Sequence, residues 1–117
     1  TDERILEMNF GDRELKKWDD ISSEEMTPWM QDFVNIKVPN GESYTELAER
    51  TTDFYNDIIT KNNSKTIIVC HGGVIRSILA KLTDTALKDS FDIKIICISK
   101  LKLNCINTSL RYSINHF

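Results

Sequence analysis

Residues 66–76 read Thr66-Ile67-Ile68-Val69-Cys70-His71-Gly72-Gly73-Val74-Ile75-Arg76, and the fold turns on how this stretch is taken. Residues 65–70 (KTIIVC) are apolar, rich in β-branched side chains and too few for a helix, which predicts a buried strand. His71, Gly72 and Gly73 form the turn, and residues 74–82 (VIRSILAKL) return as a helix. In open α/β sheets ligands collect beyond the carboxyl ends of the strands. The first turn of the following helix offers unpaired N–H groups and a partial positive charge, a combination that favours an anion. Two glycines let that backbone approach a phosphate closely. A histidine at the strand tip adds a donor, and a full charge when protonated. Taken alone, the pattern equally describes a tight turn with an incidental histidine. Arg76 has two uses open to it, a phosphate or a surface ion pair.

Working outward, the long helix at residues 44–61 is the clearest element. Ser43 caps it, Glu46 completes a capping box, and Leu47, Thr51, Phe54, Tyr55, Ile58 and Ile59 recur at three- and four-residue spacing. Asn62-Asn63 closes it. Residues 92–99 (DIKIICIS) predict a second strand, and residues 101–106 and 110–114 a hairpin joined through Asn107-Thr108-Ser109. On the N-terminal side, residues 1–13 form a short extended stretch or loop ending at Gly11, and residues 14–21 one or two helical turns with Leu15, Trp18 and Ile21 on a shared face. Ser22 and Glu25 make a capping-box pattern, Thr27-Pro28 opens a helix from about residue 28 to residue 33 or 34, and Pro39-Asn40-Gly41 is a turn. The sum is an α/β protein with a mixed sheet.

The chain has 117 residues, enough for a single domain. Its net charge of −3, with 40% hydrophobic and 28% charged residues, describes a soluble globule and gives no electrostatic reason for nucleic acid or an anionic membrane as partner. No apolar run approaches the ~18 residues needed to span a bilayer. Cys70, Cys97 and Cys105 are an odd count without CxxC spacing, read as reduced core thiols of a cytoplasmic protein. No carboxylate or Cys/His cluster has the spacing of a metal site, so no metal is expected. Residues 1–4 (TDER) have neither the basic nor the apolar region of a signal peptide, and the lack of an initial Met hints at sequence upstream.

Glu7 is the second chemistry-bearing candidate. It lies between apolar neighbours in Ile5-Leu6-Glu7-Met8-Asn9-Phe10-Gly11-Asp12, and an apolar setting raises a carboxyl group toward values useful for general-acid work. A glutamate that simply points to solvent fits the alternation as well, as do Asp12 and Glu14. Glu42 serves either a pocket or the favourable charging of the long helix. Trp18, Trp29 and Phe33 read as core.

Taken together, residues 6–14 (LEMNFGDRE), residues 39–43 (PNGES), the long helix with Arg50, and residues 69–79 (VCHGGVIRSIL) follow the order and spacing of the histidine phosphatase superfamily, which this chain resembles over essentially its whole length. Residues 111–117 (RYSINHF) resemble the last strand of that phosphoglycerate-mutase-like fold. The resemblance implies a mixed sheet flanked by helices, with Glu7 as the general acid that protonates the leaving oxygen. It implies that His71 binds the phosphoryl group and stabilises its developing charge, with Gly72 and Gly73 contacting the substrate. The superfamily's nucleophile is a histidine in an Arg-His-Gly motif, which forms a phosphohistidine that water then cleaves. No Arg-His-Gly occurs here, nor the Ser-x-x-x-Arg-Ala segment that carries a second phosphate-clamping arginine.

Residues 1–117 therefore read as one incomplete domain, the C-terminal part of a unit with roughly 60–80 further residues upstream. Such a chain is expected to be inactive alone and to expose apolar strand edges that lead to homodimers or strand exchange. Within the superfamily the Phe-Gly-Asp and Pro-x-Gly-Glu segments most resemble the α-ribazole phosphatases, which implies hydrolysis of α-ribazole 5′-phosphate in cobalamin biosynthesis, with a small phosphate ester as partner and no cofactor. Arg13 stands where an aromatic is common, which alters the expected pocket wall. A phosphoglycerate mutase, a broad-specificity phosphatase and a non-catalytic phosphate-binding remnant are the alternatives.

Overall fold

The computed structural model describes residues 1–61 and 66–95 with their side chains, and residues 99–106 and 109–116 as backbone. Three helices organise the described part: α1 (Ser23–Gln31), α2 (Tyr44–Lys61) and α3 (Gly72–Leu82). Short 3-10 turns occupy Glu3–Ile5, Gly11–Arg13, Trp18–Asp20 and Leu87–Asp92. Strands β1 (Ser99–Ile106) and β2 (Ser109–His116) pair antiparallel, with Ile106 opposite Ser109 and Ser99 opposite His116.

Helix α2 begins where the capping box places it. The Ser43 N–H donates to Glu46 Oε2 at 2.8 Å, and the Glu46 N–H donates to Ser43 Oγ at 3.2 Å. Its apolar stripe buries Leu47, Phe54 and Tyr55 in the core with Val74 and Ile78 of α3. Thr51 and Ser77 meet across this interface at 2.8 Å, so two buried hydroxyls satisfy each other inside an apolar seam. Met8, Trp29, Val38 and Tyr44 complete the core cluster.

The expected mixed sheet is not what the structure shows. Among the described residues, strand pairing is confined to the β1–β2 hairpin. Residues 66–70 carry no ladder, and residues 92–95 end a 3-10 turn and continue unpaired; residues 65 and 96–98 lie outside the described residues. The reason is physical: β-branched composition makes a segment fit for a sheet, but only a neighbouring strand makes it a strand. Among the described residues no strand lies beside residues 66–70, and Ile67 and Val69 are left 91% and 87% exposed while Ile68 and Cys70 turn partly inward.

Smaller corrections follow the same logic. Helix α1 starts at Ser23, capped by Ser22, whose Oγ accepts from the Glu25 N–H; Pro28 lies within it rather than at its start. Leu15 has φ +64° and is fully exposed, so it shares no face with Trp18 and Ile21.

Candidate active site at the first turn of α3

Glu7 reaches α3 through a frame built from two of the sequence motifs. Gly11, at φ +47°, and Gly41 bring residues 9–12 and 39–42 backbone to backbone; a Cβ on Gly11 would collide with the Pro39 carbonyl, and one on Gly41 with the Asn9 carbonyl. The Asp12 N–H donates to Pro39 O at 2.9 Å, the Glu42 N–H to Asn9 O at 3.0 Å, and the Asn9 N–H to Glu42 Oε1 at 2.8 Å. Asn40 occupies the left-handed region at φ +55° and donates to Asp12 across the same junction.

Arg50 locks this frame onto α2. Its Nη1 donates to the carbonyls of Arg4 and Leu6 at 2.8 Å each, its Nη2 to the carbonyl of Glu7 at 3.1 Å, and its guanidinium pairs with the Glu42 carboxylate at 2.6 Å. Glu42, expected at a pocket or as a charge on the helix start, thus anchors Arg50 and Asn9. Arg13 is equally structural: buried, it pairs with Glu25 at 2.8 Å and lies over the Trp29 ring.

The Glu7 carboxylate, so held, closes on the start of α3. Its Oε1 accepts from the Met8 N–H at 3.0 Å and its Oε2 from the Gly73 N–H at 3.4 Å. His71 is the N-cap residue of α3; its backbone is extended, its side chain is exposed, and its carbonyl accepts from the Ile75 N–H at 3.0 Å. The imidazole makes no hydrogen bond among the described residues. Gly72 and Gly73 form the first turn between them. Burial pushes the Cys70 thiol up, and the Glu7 carboxylate adds to the shift, which places Cys70 in the same electrostatic neighbourhood.

Glu7, Gly72, Gly73 and His71 therefore share one helix terminus. Glu14, by contrast, accepts from the Phe10 N–H. Sequence reasoning missed Arg50 as the clamp: its partners lie 8 to 46 residues away, and only the matched pair of a turn glutamate and a helix arginine carried any signal. It also missed Tyr44, whose hydroxyl lies 2.9 Å from Ser90 Oγ and whose ionisation burial holds up. Chemically, this terminus brings together the backbone N–H groups of the first turn of α3, the Glu7 carboxylate and the residue His71.

Comparisons with known proteins place the chain in a family. The profile of the histidine phosphatase superfamily (branch 1) matches residues 1–112, and the chain belongs to that superfamily. The curated relatives it resembles include the "Putative phosphoserine phosphatase 2" of Hydrogenobacter thermophilus, 30% identical over 80% of this chain and 47% of that protein. A second is the "Probable phosphoglycerate mutase GpmB" of Erwinia tasmaniensis, 34% identical over 73% of this chain and 43% of that protein. The chain thus spans about half the length of the curated relatives it matches.

Among solved structures, Bacillus stearothermophilus YhfR matches with a TM-score of 0.82 at 21% identity, covering 97% of this chain and 59% of that one. "The crystal structure of a putative alpha-ribazole-5'-P phosphatase from Escherichia coli" matches with a TM-score of 0.73 at 22% identity, covering 95% and 57%. At these identities the two structures speak for the fold. Among the described residues, no helix is long and apolar enough to cross a membrane.

Proposed function

We propose that this chain supplies the phosphoryl-binding and proton-donating part of a histidine-phosphatase-type phosphomonoesterase acting on a small phosphate ester. The observation that carries the reading is the Glu7 carboxylate closed on the Gly73 N–H at the helix end that His71 caps. In this reading His71, Gly72 and Gly73 bind the phosphoryl oxygens, and protonated Glu7 gives its proton to the leaving oxygen. The nucleophile is neither of these. The 117 residues contain two histidines, His71 and His116, and no Arg-His-Gly. In this reading the 117-residue polypeptide binds phosphate without turning over an ester.

For the substrate, the Phe10-Gly11-Asp12 and Pro39-to-Glu42 segments favour α-ribazole 5′-phosphate, hydrolysed to α-ribazole and phosphate. The names of the curated relatives favour a second reading, phosphoserine or phosphoglycerate as substrate. Two measurements test the proposal. The 117-residue chain should show no His71-dependent hydrolysis of p-nitrophenyl phosphate, and a sizeable His71-dependent rate would overturn the assignment of roles. The gene's upstream reading frame should encode Arg-His-Gly, and its absence there would remove the enzymatic reading. With that frame in place, substrate profiling separates α-ribazole 5′-phosphate from phosphoserine and phosphoglycerate.

A further inference from the structure

Arg76 differs from the other arginines whose side chains the structure describes. Arg4, Arg13 and Arg50 each hold a carboxylate, at 2.8, 2.8 and 2.6 Å. Among the described residues Arg76 has no ion pair and its buried Nε has no hydrogen-bond partner. A partly buried guanidinium left unpaired costs stability, so its position calls for a ligand or a compensating contact.

The compensating contact is aromatic. The guanidinium lies over the ring of Phe91, 5.1 Å from its centroid. Phe91, half exposed, packs edge-on to Phe33 at 5.3 Å and tilted against Tyr44 at 5.7 Å. This stack sets the direction of the guanidinium, which folds back over the start of α3: Nη1 lies 3.1 Å from where a Cβ on Gly72 would be. On the other flank of the same turn, Glu7 Oε1 lies 2.5 Å from where a Cβ on Gly73 would be. The glycine pair is thus the gap that admits a cation on one side and a carboxylate on the other. No ion pair joins Arg76 to Glu7 among the described residues, so the guanidinium is not taken up by that carboxyl group.

We propose that Arg76 is a substrate-binding residue that donates from its guanidinium to a non-bridging phosphoryl oxygen, aimed there by Phe91. The proposal rests on the phosphate-binding reading of His71 and Gly72 given above. It adds a cation from within α3, where the helix end and the imidazole alone would hold a dianion less firmly.

The test is a titration of the 117-residue chain with orthophosphate, followed through the backbone amide resonances of Gly72 and Gly73. Arg76→Met should weaken binding by about tenfold or more, the loss of one charge-assisted contact. Arg76→Lys should fall between it and wild type, and Phe91→Leu, which keeps the charge and removes the shelf, should also weaken binding. His71→Ala reports on the underlying site. Weak binding in His71→Ala with wild-type affinity in Arg76→Met overturns the Arg76 assignment and leaves the site reading standing. No response of the wild-type chain to millimolar phosphate overturns both. Should Arg76→Met fail to fold by circular dichroism, unchanged affinity in both Arg76→Lys and Phe91→Leu overturns the proposal. So does a loss seen with phosphoserine but not with orthophosphate, since it would put the guanidinium on the leaving group.

Discussion

Glu7 and Gly73 lie so close that a single methyl group on residue 73 would displace the carboxylate: Glu7 Oε1 is 2.5 Å from the position of that carbon, and Leu47 Cδ2 is 3.2 Å from it. Alanine inside a helix is ordinarily worth about 1 kcal/mol over glycine. Here Gly73→Ala should instead destabilise the chain, because the carboxylate must leave the Gly73 N–H to make space. The double variant Gly73→Ala/Glu7→Ala should recover much of that loss, giving a coupling of about 1 kcal/mol in a double-mutant cycle. Urea denaturation of the four species measures it. Strict additivity would mean that the two residues do not compete for this space.

Arg50 should matter to stability more than any surface arginine. Four of its contacts fix residues 4–7 and Glu42, and both members of the ion pair are mostly buried, at 23% and 16% side-chain exposure. Breaking such a pair from one side leaves the other charge uncompensated, and Arg50→Met should cost about 2–4 kcal/mol. Arg50→Lys should recover only part of this, since an ammonium cannot span three carbonyls and a carboxylate. Hydrogen exchange at the Met8 and Asn9 amides should accelerate in both variants, because the segment bearing Glu7 is what the guanidinium holds. Unchanged exchange there would separate Arg50 from the positioning of Glu7.

What could be read from the sequence was what neighbouring residues decide. The Ser43–Glu46 box places the start of α2, and residues 101–106 and 110–114, within β1 and β2, already read as a hairpin. The Ser22–Glu25 box marked the start of α1, yet Thr27-Pro28 drew the expected start five residues further on. In the structure Pro28 lies inside the helix, where its missing N–H forfeits one backbone bond. The unforeseen features are nonlocal. The turn at Leu87–Asp92 is tied down by Ser90 on Tyr44 and Phe91 on Phe33, contacts spanning more than 40 residues. Glu7, His71, Gly72 and Gly73 were legible as candidates because each sits in its own short motif. Their common location at one helix end depends on Arg50 and the Gly11–Gly41 contact, which no local pattern encodes.

Acid should weaken the chain partly through the cap of α2. The ammonium of Lys37, 2.7 Å away, and then the Ser43 N–H hold the Glu46 carboxyl below its ordinary 4.5. A carboxyl lowered in the folded state contributes stability that is present above its unfolded value and is lost as pH falls through the folded one. The urea midpoint of the wild type should therefore fall as pH drops below that ordinary value, and that of Glu46→Gln should fall less. Asp2, held down to about 2 by the Arg4 side chain, loses its contribution progressively from its ordinary 3.8 down to that value. Parallel curves for wild type and Glu46→Gln would remove the cap from the account of acid sensitivity.

Residues 66–70 should make the chain self-associate. Ile67 and Val69 alternate onto one open side, at 91% and 87% exposure, along a backbone with no strand beside it among the described residues. An apolar, unpaired edge of this kind recruits another strand, and a second copy of this chain offers the same segment in solution. Sedimentation velocity should show mass rising with concentration, and the thermal midpoint should move with concentration in step. Ile67→Thr/Val69→Thr keeps the β-branched shape while making the open side polar, and should shift the distribution toward monomer without loss of helical signal. A wild-type chain that stays monomeric over the whole concentration range, with a fixed thermal midpoint, would show that this open side is inert between copies.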